Sequence, residues 1–173
     1  MTKILVVGGG LTAAVTTSLL KSAGSKAPVV TVWDKAKTVG GRMSTLKCRF
    51  NPDLTADLGA QYISQTPSSN RHVLRITLST RPKSLIIFLF LHRLFYDELV
   101  KEGVFAPLEH SIHGQRANPP GSKDFVTPNG SASIVSHFFR NSDTTVDFEH
   151  HVTAIKNLSD RWKVEANVRI DFE

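Results

Sequence analysis

Residues Lys3 to Ala14, KILVVGGGLTAA, decide the fold: an apolar run that reads as a strand enters a glycine turn and then the start of a helix. With Gly8 and Gly10 in the turn and Ala13 in the third small position, the segment fits G-x-G-x-x-G/A in the strand-then-helix context that a dinucleotide fingerprint requires. Gly8 permits a tight bend. Gly10 has no side chain to hold a pyrophosphate away from the backbone, and Ala13 lets the helix lie close to the strand. The helix N-terminus turns unpaired N–H groups and a partial positive charge toward an anion.

A glycine pattern alone is weak. It gains weight when a second strand ends, about 20 residues on, in an acid that can bind a ribose hydroxyl. The run PVVTVWD is β-branched and ends in Asp34. An aspartate here, in place of an arginine, favours a free ribose over a 2′-phosphate. Between the strands the spacing predicts a helix from Leu11 to near Gly24, with Leu11, Val15 and Leu19 as the stripe laid on the sheet.

From Asp34 to Tyr62 the glycines and the lack of periodicity predict loops, of the kind that line sites. FYDELVKEG reads as a short helix stopped at Gly103, and FVTPNG as a strand end and turn. Ser131 is placed as the cap of a helix whose Ile134, Val135, Phe138 and Phe139 are core. From Thr145 the texture is β: TTVDF, then VTAIKNL, a turn at Ser159-Asp160, and RWKVEANVRI. In the last run Trp162, Val164, Ala166, Val168 and Ile170 alternate with polar residues, which predicts a half-buried antiparallel strand.

Composition is ordinary for a globular chain of 173 residues, with 40% hydrophobic and 21% charged. The net charge of +6 is local, since Arg75, Arg81, Lys83 and Arg93 lie in an acid-free stretch; without those four, +2 remains. With no basic helical stripe or stacking array elsewhere, nucleic-acid binding is a poor reading. The single cysteine, Cys48, has no partner in the chain and suits a reducing compartment. Seven histidines are dispersed without a metal framework, so no metal site is expected. The apolar stretch at the N-terminus is the predicted first strand and is read as retained. The longest apolar run, Leu85 to Leu91, is too short to cross a bilayer as a helix.

Six stretches, ILVVGGGLT, VWDKAKTVGGRMST, NPDLTADLGAQYISQTP, FYDELVKEGV, DFVTPNGSASI and HHVTAIKNLSDRWKVE, together resemble the flavoproteins of the FAD-dependent amine oxidase superfamily. The resemblance covers most of residues 1–74 and 95–165, and GGRM followed by DLGAQY is its most specific part. It implies FAD as cofactor, with Thr12 at the pyrophosphate turn, Asp34 at the adenosine ribose and Arg42 at the phosphates. It places Gln61 and Tyr62 near the flavin end and the backbone of Val152 at the adenine. A guanidinium fork suits phosphate oxygens in a way that lysine does not reproduce. The activity implied is hydride transfer from a reduced small molecule to the flavin, then electron transfer to O₂ to give hydrogen peroxide. The substrates implied are isomeric dihydronicotinamide dinucleotides, or alternatively amines. In such enzymes the cofactor carries the chemistry, so no catalytic acid or base is assigned.

The sequence departs from that pattern twice. Residues 75–94, RITLSTRPKSLIIFLFLHRL, interrupt it where the family needs a short link. We read them as translated intron, the alternative being a lineage-specific loop; transcripts that retain the segment throughout would decide for the loop. Family chains also continue beyond the WKVE strand, and stopping at Glu173 is expected to leave the ILVV strand with an unpaired apolar edge and the flavin poorly enclosed. The expected fold is therefore α/β: residues 1–173 form a partial FAD-type Rossmann domain with an antiparallel β appendage and the atypical insertion inside it. Two functions follow, a flavin-dependent oxidase and a catalytically silent fragment that binds FAD or ADP or offers surfaces to other proteins. Cytosolic residence is expected, with secretion as the alternative.

Overall fold

Val, Ile and Thr dominate β1 (Lys3–Val7) and β2 (Val29–Trp33), and these β-branched runs pair in parallel from Lys3 with Val29 to Val7 with Trp33. The parallel strand β8 (Thr145–Asp147) joins the other edge of β2, giving the order β1-β2-β8. The computed structural model describes residues 2–22, 24, 27–67, 95–110, 112–115 and 117–168. The proposed insertion at 75–94 lies outside them. The chain forms two compact units, one of residues 1–60 with 130–173 and the other of residues 61–129.

In the first unit α1 (Leu11–Lys21) follows β1 and packs along α3 (Ala132–Ser142). The stripe predicted for α1 needs correcting. Leu11, Val15 and Leu19 are half-buried, and the fully buried residues are Ala13, Ala14 and Thr17. Small side chains let the helix come close, and Thr17 keeps its hydroxyl satisfied by donating to the Ala14 carbonyl at 2.9 Å. The helix ends at Lys21, capped by Ser22, just before the predicted stop near Gly24. In α3 the predicted core residues Ile134, Val135, Phe138 and Phe139 are all buried.

The stretch predicted to be all loop holds a 3-10 turn (Gly41–Met43) and a hairpin of β3 (Thr45–Lys47) with β4 (Thr55–Asp57). Strands of three residues are too short to show alternation, so periodicity could not find them. Beyond β8, β9 (His150–Asn157) and β10 (Trp162–Val168) pair antiparallel about the predicted Ser159-Asp160 turn, where Ser159 takes a φ of 68°.

The second unit is an antiparallel sheet ordered β5 (Ile63–Gln65), β7 (Lys123–Val126), β6 (Ala106–Pro107), with a short helix α2 at 95–101. Gly103, with φ of 68°, ends α2 as its sequence predicts. Tyr96, Phe105 and Phe125 form the aromatic core, with Phe105 and Phe125 stacked at 5.3 Å between centroids. Asp124 organises the loop before β7 by accepting from Ser64, Gln115 and Asn118. Hydrogen bonds, that of Ser64 foremost, hold its carboxyl below the usual range against the opposing effect of burial.

Candidate dinucleotide-binding site

Two glycine turns meet at the carboxyl ends of β1 and β2. The first follows β1: Gly8 sits at φ of 106°, a conformation that favours glycine, and its N–H donates to the Trp33 carbonyl at 2.7 Å. The second is Gly40-Gly41, where Gly40 N–H donates to the Gly9 carbonyl at 3.1 Å and Gly10 and Gly40 form a parallel bridge. A Cβ on Gly40 would come within 2.8 Å of the Ser44 Cα, at a φ of 128°. That position tolerates no side chain.

Asp34 follows β2 directly and stays half-buried. One carboxylate oxygen accepts the Gly9 N–H and the other accepts the Ala36 N–H at 2.7 Å. A carboxylate has about four lone-pair sites, so acceptor capacity remains for a ribose hydroxyl. Gly9 carries no role in the sequence pattern, yet it is the tightest of the three glycines: a Cβ there would meet Asp34 Oδ2 at 3.0 Å. Gly10 is the opposite case. A Cβ there would find only the Gly40 carbonyl at 3.9 Å, an ordinary contact, so the protein's own packing does not require a glycine.

Gly10 also stands at the N-cap of α1 in extended conformation, and no side chain caps the helix. Thr12 is exposed in the first turn of α1 and Arg42 is exposed beside Gly41; among the described residues Arg42 makes no ion pair. The structure thus gathers Gly8, Gly10, Thr12, Asp34 and Arg42 around one edge. Val152 is half-buried in β9, opposite Ala166, and β9 pairs with β10 alone among the described strands. His150 N–H donates to the Asp34 carbonyl at 2.9 Å, which ties the start of β9 to the same edge. Gln61, exposed, and Tyr62, half-buried just before β5, belong to the second unit.

Asp57 and Thr45, which the sequence left without a role, brace the second turn together with Ser131. Asp57 Oδ1 accepts the Thr45 hydroxyl at 2.6 Å and the Ser131 N–H at 2.7 Å, and Thr45 Oγ1 accepts the Ala132 N–H at 3.0 Å. Ser131 is at the N-cap of α3, but its hydroxyl does not cap the helix: its single proton is shared between the Met43 carbonyl at 3.1 Å and Asp57 Oδ1 at 3.0 Å. Asp57 and Thr45 supply the cap from another part of the chain. Burial tends to raise the Asp57 pKa, but the bonds from Thr45 and Ser131 outweigh it and hold the carboxyl below its usual range. Leu58 N–H donates to the Ser44 carbonyl at 3.0 Å, and a Cβ on Gly59 would collide with the Arg42 carbonyl. The GGRM and DLG stretches are thus one packed object. No local signal reveals this, because Asp57 finds its partners 12 and 74 residues away.

A parallel sheet, a glycine turn opening a helix and an acid ending the second strand define a Rossmann-like dinucleotide-binding protein. Residues 6–77 match the NAD(P)-binding Rossmann-like domain family. The chain is a homologue of renalase, being 32% identical to mouse (Mus musculus) renalase over 167 residues, 96% of the chain and 43% of the mouse protein. It is also 33% identical over 106 residues to YobN of Bacillus subtilis, an L-amino-acid oxidase by name, covering 61% of this chain and 20% of that one. It shares its fold with halogenase PltM, whose structure is a complex with phloroglucinol and FAD: TM-score 0.53, 11% identity, 98% of this chain and 32% of PltM. The chain thus spans less than half of the curated relatives it matches.

Proposed function

We propose that this chain is part of the FAD-binding domain of a renalase-type oxidoreductase and holds the ADP half of FAD at the paired glycine turns. The observation that carries this reading is the open cradle at Gly10, where packing leaves room for a side chain that the sequence does not supply, beside an uncapped helix start. The donor set fits the group. Amides of the first α1 turn, Thr12 and the Arg42 guanidinium suit a diphosphate, and the Asp34 carboxylate suits ribose hydroxyls. Gly8 shapes the bend and Gly9 anchors Asp34. The β9 backbone at Val152 would serve the adenine, with Gln61 and Tyr62 toward the flavin.

When bound, the flavin would accept a hydride from an isomeric dihydronicotinamide dinucleotide, or from an amine, and pass two electrons to O₂ to give hydrogen peroxide. The residues of this chain bind and orient; no acid or base is assigned. Cytosolic residence, with secretion as the alternative, accompanies this reading. No helix among the described residues is long and apolar enough to cross a membrane.

A second reading, a catalytically silent binder of FAD or ADP, is favoured by β1. Among the described residues it pairs on one side only, and Val7 is 52% exposed beside the glycine turn. Expression with added FAD separates the two. A yellow protein whose flavin is bleached by a dihydronicotinamide isomer, with oxygen uptake, supports the oxidase. A colourless protein that binds ADP supports the silent binder, and failure to bind either nucleotide overturns both.

A further inference from the structure

We propose that two copies of this chain pair through the outer edge of β10, antiparallel about a twofold axis at Val164. Among the described residues β10 pairs with β9 alone, and no described strand lies on its other edge. Leu158 N–H donates to the Arg161 carbonyl at 2.8 Å and closes the hairpin. By antiparallel alternation the N–H and C=O groups of Trp162, Val164 and Ala166 then point away from β9. These are the groups a second strand would use.

The hairpin's faces are segregated. Its register shifts at Glu165/Ala166, where β9 contributes the extra residue Thr153. Ile155 is thus opposite Val164 and Val152 opposite Ala166, and both β9 side chains share the face of Trp162, Val164, Ala166 and Val168. Without the extra residue, Val152 and Ile155 would lie on opposite faces. Ile155, Trp162 and Val168 are 54%, 66% and 52% exposed, so the predicted apolar face is formed but only partly covered. The other face is polar, with Glu165 paired to Lys156 at 3.5 Å and Lys163 at 3.0 Å.

The sequence around Val164 complements itself. A twofold there sets Lys163 against Glu165 of the second copy, twice, on the polar face. On the apolar face it sets Trp162 against Ala166, large against small, twice, with Val164 on its own counterpart. Charge and size thus both favour a second copy over an unrelated strand. Each copy uses up the same edge, so the pairing closes at two.

Sedimentation velocity of the wild-type chain between about 10 µM and about 1 mM is expected to show a monomer–dimer equilibrium. Glu165→Lys, which opposes like charges across the axis, should weaken the dimer about tenfold, and Lys163→Glu with Glu165→Lys should restore it. Far-UV circular dichroism checks that the variants fold. Hydrogen exchange needs no variant: the Trp162, Val164 and Ala166 amides should slow as concentration rises. A wild-type monomer throughout that range, concentration-independent exchange at those amides, or growth beyond dimers overturns the proposal.

Discussion

Glycines that look alike in GGG differ in what they do, and substitution tells them apart. Gly8→Ala places a side chain at φ of 106° in open space and should cost about 1–2 kcal/mol of stability by backbone strain alone. Gly40→Ala adds a backbone collision and should cost about 3 kcal/mol or more. Gly10→Ala, at φ of −90° with only a 3.9 Å neighbour, should leave the melting temperature within about 2 °C. Yet it should weaken ADP or FAD binding at least about tenfold, because the methyl group takes the space a diphosphate needs. Thermal melts with calorimetric titration check both halves; if Gly10→Ala binds as well as wild type, the cradle is not the site. The spacing of Gly8, Gly10 and Asp34 was readable as a pattern, whereas the contact of Gly9 with Asp34 was not. A middle glycine has no assigned place in the fingerprint, and 25 residues separate it from its partner.

At the scale of elements, β1, α1, β2, α3, β9 and β10 were legible because each is long or apolar enough to show a period, and β8, though only three residues long, because TTVDF is rich in β-branched residues. The β3–β4 hairpin and the origin of the α3 cap were not. Asp57→Asn keeps the shape but removes the charge that accepts from Thr45 and Ser131, and should cost about 1–3 kcal/mol, read by urea unfolding at pH 7. The same carboxylate gives stability a pH dependence. Its pKa is lowered in the fold, so on acidification the unfolded chain takes up the proton first. The stabilisation is complete above the unfolded pKa and fades as pH falls through the folded one. Asp124, also lowered, acts in the same direction within the second unit. Asp57→Asn should therefore flatten the loss of stability below about pH 5, and an unchanged acid limb would show that the cap carries no charge effect.

For the whole molecule, the ligand reading makes a bulk prediction. ADP at about a hundredfold its Kd should stabilise the chain by about 2.7 kcal/mol, while its 2′-phosphorylated analogue at equal concentration should do markedly less, since Asp34 repels the added phosphate. Thermal shift with both nucleotides is the check, and equal shifts would remove Asp34 from the ribose. The sequence by itself determined the α/β class, the strand–turn–helix unit and the likeness to flavoproteins. Those depend on local periods and on glycine and acid spacings that any reader of the chain can measure. Only the tertiary structure decided which glycine is tight and which is open, and that DLG braces GGRM. It also decided that Asp57 caps α3 and that one extra residue in β9 gathers the hairpin's apolar side chains on one face. Each of these depends on atoms that are close in space but far apart in sequence, or on a single-residue shift of register, and neither leaves a periodic trace.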